Sequence, residues 1–360
     1  MFGFLSSGGK RLIGIDFGAS ALKIVSGRLQ GSKFAVDALS VLGLSGHAID
    51  DRGIQDANKV LNTLLQALES SPKFSSKSAY ATAVHGSGVY TKRITLPKIP
   101  KKEIPEQVRW EAEQVFPQDL SSIVVDHVLL GEVSQVPNAP KGTKGWELLL
   151  VGVHNEDVMG IREITDEAGI DLRLIDLDSF AAGDFLESVL KLNKKKPTAL
   201  VDIGATATRV SVRHQGQTVF MREFPVGGFS FTDAISSQLG LSMEDAEILK
   251  VQGVEGAFPQ EAIDALSGVI QSWKDEIQQT EDIYVSQESD STIKEWHIFG
   301  GGSLTPGLLE AIDDESFGKN IKLAGAEKFF KSAHKQVDKN TLQMWAARLV
   351  TAAGLASRSA

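Results

Sequence analysis

The chain has 360 residues, 42% apolar and 23% charged, with a formal net charge of −9 and no cysteine. That length exceeds one compact core and points to two domains or more. The acidic balance argues against a nucleic-acid binder, and the lack of cysteine removes disulfides, thiolate catalysis and cysteine-ligated zinc.

Met1-Phe2-Gly3-Phe4-Leu5 is apolar but too short for a signal peptide, so it reads as a loose tail. No stretch approaches the ~20 apolar residues of a membrane span, which predicts a cytoplasmic protein reaching a membrane only through a partner. Residues 12–17 are a buried strand ending in Asp16-Phe17-Gly18-Ala19-Ser20, followed by a second β-like run over 21–29 and a Gln30-Gly31 turn. Residues 33–44 are extended, and residues 56–68 place Val60, Leu61, Leu64, Leu65 and Leu68 on one helical stripe. With a strand at 80–84, this predicts an α/β layer.

From about Val89 the texture changes. A strand over 89–96 is broken by Pro97-Lys98-Ile99-Pro100, and residues 102–116 carry Ile104, Val108, Ala112, Val115 and Phe116 at helical spacing. Trp110 falls off that stripe and reads either as packed on the neighbouring sheet or as an interface anchor. Strands at 123–133 and 146–154 flank a Pro/Gly/Lys loop, and a helix over 156–168 stops at Gly169. Together these predict a small α+β unit inserted into the first domain. A strand over 171–178 returns to that domain, followed by a helix over 180–192 and the basic linker Lys194-Lys195-Lys196-Pro197.

The opening pattern then recurs. Ala199-Leu200-Val201-Asp202-Ile203-Gly204-Ala205-Thr206 is again an apolar run ending in Asp-x-Gly-Ala-Ser/Thr, followed by a β-like run over 209–214 and Gln215-Gly216. In each copy the Asp holds a carboxylate at the mouth of the sheet. The Gly lets the backbone turn so that N–H groups face an anion. Two such hairpins face to face would grip a polyphosphate, with two carboxylates for its metal ion.

Pro225-Val226-Gly227-Gly228 leads into a helix, and helices follow over 242–251 and 260–278, the latter with Ile263, Leu266, Ile270, Trp273 and Ile277 as its stripe. Glu247 and Lys250 share a face of the first of these, as a surface ion pair or as ligand contacts. A strand at 296–299 enters Gly300-Gly301-Gly302-Ser303, a turn where backbone can approach a flat ligand, and a helix starts at Pro306-Gly307-Leu308. Residues 345–357 form the final helix.

In this order the motifs resemble the actin-like ATPase superfamily over nearly the whole chain. The resemblance implies an α/β, duplicated ribonuclease H-like two-domain fold with a small inserted α+β subdomain. Residues 1–86 with 171–196 and 340–360 would form the first domain, 87–170 the insert, and 197–339 the second domain with a helical part at 237–294. It also implies ATP or ADP with Mg2+ in the cleft. Asp16, Gly18, Ala19, Ser20 and Lys23 would form one phosphate loop. Asp202, Gly204, Ala205, Thr206 and Thr208 would form the other, with Gly227 and Gly228 after it. Asp16 and Asp202 would hold the metal through water, while Gly300, Gly301, Gly302, Ser303, Glu247 and Lys250 would hold the adenosine.

Within the superfamily the chain is most similar to the PilM family of type IV pilus assembly, with the FtsA cell-division family as its near relative. The insert carries Ile94-Thr95-Leu96-Pro97 and Glu111-Ala112-Glu113-Gln114-Val115-Phe116-Pro117, and Ala353-Gly354-Leu355-Ala356 lies near the end. FtsA members normally end in an amphipathic membrane-targeting helix, which residues 355–360 do not provide. The PilM resemblance implies docking of the N-terminal cytoplasmic tail of the inner-membrane pilus protein PilN in a groove between the insert and the first domain. It also implies other pilus proteins as partners, and leaves a homodimer open. Sugar kinases match only in the core. Turnover needs a Gln or Glu to orient water, or an Asp as base. The region Ile175-Asp176-Leu177-Asp178 offers only Asp176 and Asp178, which predicts an adaptor with at most slow ATPase activity.

Overall fold

The computed structural model describes residues 11–44, 47–116, 119–252, 258–287, 292–313, 317–324, 327–333 and 337–359; the Met1–Leu5 run and Pro117 lie outside them. Alternating apolar residues with glycine-bearing turns give strands β1 (Leu12–Phe17), β2 (Ala21–Gln30) and β3 (Lys33–Gly43). A short ribbon, β4 (Ile49–Asp50) and β5 (Gly53–Ile54), leads to helix α1 (Ala57–Glu69). Asp56 caps α1 by accepting the Lys59 N–H. Val60, Leu61 and Leu64 are buried as the stripe predicts, whereas Leu65 faces outward, 39% exposed. Strand β6 (Ala79–Val84) is buried along its whole length.

Next come β7 (Val89–Pro97), α2 (Ile104–Val115), β8 (Ile123–Val133), β9 (Gly145–His154) and α3 (Asn155–Glu167), over the residues where the sequence predicts an insert. Its antiparallel sheet has the order β7-β9-β8. The α2 stripe packs on one face of that sheet, where Ile104, Val108, Ala112 and Phe116 meet Trp146, Leu148 and Leu150. Trp110 stays 55% exposed, so it does not pack on the sheet. Strand β10 (Asp171–Leu177) then pairs in parallel with β6, and α4 (Asp178–Leu190) follows.

The second half repeats the plan with β11 (Thr198–Ile203), β12 (Thr208–His214), β13 (Gln217–Phe224), α5 (Gly228–Leu239), α6 (Met243–Gln252) and α7 (Gln260–Gln287). Helix α7 runs beyond residue 278 because its buried stripe continues through Thr280 and Tyr284, while Ile263 at its start is 38% exposed. Then come β14 (Glu295–Phe299), α8 (Leu308–Ile312), β15 (Ile321–Leu323), β16 (Phe330–Ser332), α9 (Lys339–Trp345) and α10 (Val350–Ala356).

Two sheets result, ordered β10-β6-β1-β2-β3-β16 and β13-β12-β11-β14-β15. Strand β16 crosses back from the second half to pair in parallel with β3. Helices α4 and α10 share a core with both sheets, through Val25 on one side and Leu200 and Phe299 on the other. The small-residue run at the end is what lets α10 approach: a Cβ on Gly14 of β1 would sit 2.0 Å from the Ala352 carbonyl oxygen. The segment expected as one helix over 345–357 is interrupted at Ala346–Arg348 by a tight turn. There the Ala347 carbonyl accepts the Gly300 N–H at 2.9 Å, tying the turn to the glycine run.

Candidate functional site

Each hairpin sets an aspartate opposite a cation. In β1–β2, Asp16 lies in register with Lys23, and Lys23 Nζ donates to it at 2.8 Å. The turn closes with the Gly18 N–H on the Ala21 carbonyl, with Ala19 and Ser20 at its tip. In β11–β12, Asp202 lies in register with Arg209, and the Gly204 N–H reaches the Ala207 carbonyl at 2.9 Å. Ala205 and Thr206 form this second tip. The Gly228 and Phe229 N–H groups donate to the Gly204 and Ala205 carbonyls at 2.8 and 2.7 Å. The start of α5 therefore braces the second hairpin, and Gly227 and Gly228 serve that contact. Thr208 is also internal: its Oγ1 donates to the Val226 carbonyl at 2.6 Å and accepts from Trp273 Nε1 at 3.1 Å.

The glycine turn after β14 meets the second hairpin at Asp202. Gly300 has φ 88°, and a Cβ on it would lie 2.1 Å from Asp202 Oδ1, so only glycine fits. Gly302 packs on Ile203, and buried Ser303 donates to the Gly300 carbonyl at 2.7 Å. Gly301 lies against Arg348, whose guanidinium stacks 4.8 Å from the Trp345 ring centroid. Burial pushes the Asp202 carboxyl up to about 7; Arg209 and Lys23 pull it down, and the Asp178 and Asp16 carboxylates push it further up. Asp16 and Asp202 thus act on one another across the gap between the sheets.

The two aspartates at the β10–α4 junction have different surroundings. Asp176 is fully buried, receives Arg358 Nε at 2.8 Å and Nη2 at 2.6 Å, and accepts the Leu177 N–H. Burial raises its carboxyl to about 6 against the pull of Arg358. It braces α10 and has no surface for a substrate. Asp178 lies at the cleft, where Oδ1 accepts the Ser179 N–H at 2.5 Å and Oγ at 3.0 Å. Its Oδ2 is 3.4 Å from Arg209 Nε, which also pairs with Glu223 at 2.6 Å.

Glu247 and Lys250 do pair, at 2.6 Å, but Lys250 is buried and donates also to Thr232 Oγ1 at 2.7 Å and the Gly228 carbonyl at 2.9 Å. All three ammonium protons are thus taken, and Lys250 pins α6 to α5. Glu247 keeps 43% of its side chain exposed toward solvent.

Sequence reasoning missed Arg209, Arg348 and His85. Arg209 Nη2 donates to His85 Nδ1 at 3.0 Å, and His85 Nε2 lies 3.1 Å from the Phe17 carbonyl. A guanidinium can only donate, so Nδ1 is the acceptor and the ring proton sits on Nε2, given to Phe17. Burial opposes charge on Arg209, but Asp178, Glu223 and Asp202 more than offset it and raise its pKa.

Two cavities flank this cluster. One, of about 510 Å³, lies between α3 and the β4–α1 and β6 edge of the first sheet, lined by Arg52, Asn58, Leu61, Glu163, Phe17 and His85. The other, of about 310 Å³, lies between β7 and β13, with His85, Asp178, Arg209 and Glu223 in its wall.

Paired sheets with facing Asp-bearing hairpins and a glycine turn between them define the actin-like fold. The chain belongs to the family described as type IV pilus assembly protein PilM, whose model matches residues 14–360. It is 25% identical over 263 residues to the cell division protein FtsA of Bacillus subtilis (strain 168), covering 67% of this chain and 57% of that protein. The chain therefore spans less than two thirds of that relative's length. Among solved structures, a PilM–PilN type IV pilus biogenesis complex superposes with TM-score 0.79 at 24% identity, covering 96% of this chain and 97% of that one. The ethanolamine utilization protein EutJ from Carboxydothermus hydrogenoformans follows at TM-score 0.59 and 14% identity, covering 99% and 93%.

Proposed function

We propose that this chain is a nucleotide-binding cytoplasmic component of pilus assembly that docks the N-terminal tail of a PilN-type membrane protein. The observation carrying the nucleotide reading is the convergence of both hairpins and the glycine turn on Asp202. Backbone N–H groups at the hairpin tips, Ala19–Ser20 and Ala205–Thr206, hold the phosphates, with Lys23 adding charge; the Gly18 and Gly204 N–H groups close the turns themselves. Gly301, Arg348 and the exposed edge of Glu247 flank the nucleoside. Asp16 and Asp202 fit a hydrated Mg2+, because their carboxylates repel each other at one place and magnesium needs few protein oxygens. Bound there, the ion would neutralise phosphate charge. Asp178 is a poor base, since Ser179 and Arg209 already occupy it, so the reading is of slow turnover at most.

The 510 Å³ cleft between α3 and the first sheet supports the docking reading. Among the described residues no helix is long and apolar enough to cross a membrane, and the similar solved structure is a PilM–PilN type IV pilus biogenesis complex, in which PilM is assembled with PilN. Calorimetry tests both parts. Mg·ADP should bind the wild type and lose at least tenfold in affinity with Asp202→Ala, and a synthetic PilN-tail peptide should lose affinity with Glu163→Arg in the cleft. Unchanged affinities in these variants would refute the respective assignments.

A further inference from the structure

His85 lines both cavities and touches both hairpins. Its Nε2–H holds the carbonyl of Phe17, the residue after Asp16, and its Nδ1 holds Arg209, the residue opposite Asp202. Strand β7, the first of the insert, begins four residues later at Val89. The linker between them is anchored to the β4–β5 ribbon, with the Ser87 N–H on the Asp51 carbonyl at 3.0 Å. Resting on the nucleotide and peptide readings above, we infer that His85 is the positioning residue that couples the phosphate cleft to the peptide groove.

The physical route is short. Arg209 Nη1 lies 3.4 Å from where a Cβ on Gly204 would stand, so phosphate seated on the Gly204–Thr206 turn lies beside the guanidinium. An anion there attracts the guanidinium through Nη1 and draws it toward the turn, away from the Nη2 contact with His85. Nδ1 has a single lone pair, already given to Arg209, so a guanidinium that turns toward the anion leaves Nδ1 without that donor. Loss of it changes what holds the ring, which is part of the groove wall. Two ligands that bias one such contact alter each other's affinity by the same factor.

The test measures the affinity of the PilN-tail peptide for the full chain with and without saturating Mg·ADP. The wild type should show a ratio of about fivefold or more, the lower end of ordinary couplings. His85→Ala should bring that ratio to within twofold of one. His85→Asn keeps an acceptor near the Nδ1 position and should retain the ratio; His85→Gln, whose amide sits nearer the Nε2 position, should lose it. A general loss of structure would shift both affinities together and leave the ratio, and the Asn–Gln contrast carries the test should the alanine variant fail to fold. A wild-type ratio of one, full coupling in His85→Ala, or coupling kept by Gln and lost by Asn would each overturn the inference while leaving the functional reading intact. Failure of the wild type to bind nucleotide or peptide would overturn both.

Discussion

Replacing Asp176 by Leu, or Arg358 by Met, distinguishes a brace from a catalytic base. Asp176 is 0% exposed and the Arg358 side chain 4%, and two short bonds join them. Arg358→Met strands the Asp176 charge away from water, which costs about 3–5 kcal/mol, whereas Asp176→Leu leaves Arg358 its bond to Asp184. Charge-assisted bonds at about 1.5–3 kcal/mol each give the same range. That is a large part of a total stability of roughly 5–15 kcal/mol. Arg358 also pairs with Asp184 at the surface side, which can be resolvated, so the loss falls mainly on Asp176. The double variant puts two apolar groups in the same space and should recover most of the loss. Urea unfolding of the ligand-free protein, followed by tryptophan fluorescence, reads all four states of the cycle, with phosphate release assayed in parallel. An Asp176→Leu protein within about 0.5 kcal/mol of wild type, or one of normal stability that has lost turnover, would refute the brace.

Three further outcomes are expected. Gly300→Ala combines a positive φ with a Cβ in contact with Asp202, and should weaken Mg·ADP at least tenfold; fluorescence titration showing wild-type affinity would refute the fit. Burial holds Asp202 near 7 against an ordinary 3.8, so the stability its neutral form confers is complete below about pH 4 and is lost as pH rises through 7. Asp202→Asn should therefore raise the Tm of the ligand-free protein more at pH 8 than at pH 5, and an equal gain at both would contradict this. Phosphate release should stay well below the ~1 s⁻¹ of typical enzymes, and a rate like a metabolic kinase's would return Asp178 to the role of base.

Strands β1 and β11 were legible because each announces itself locally, as an apolar run closed by Asp-x-Gly. Strand β7 and helix α2 were legible for the same reason, the proline break and the amphipathic stripe marking the change of texture. Arg209 could have been found: Lys23 follows Asp16 by seven positions and Arg209 follows Asp202 by seven, which the hairpin registers explain. His85 carries no such signal, since it matters only through two contacts made by tertiary folding. Asp176 looked equivalent to Asp178 because its partner is 182 residues away. The break in the last helix was hidden likewise, being set by a hydrogen bond from Gly300.

The return of β16 to the first sheet has a consequence for synthesis on the ribosome. The β1–β2–β3 meander emerges early, yet among the described residues its outer edge at β3 is paired only by Phe330–Ser332, and the face of β1 is covered by Val350–Ala356. Until those segments leave the exit tunnel, the nascent chain carries an uncovered apolar sheet with an open edge, the condition that invites mispairing and chaperone capture. Translation must pass Ser332 before that edge can be sealed. Slow passage through the second half thus prolongs the exposure of the first.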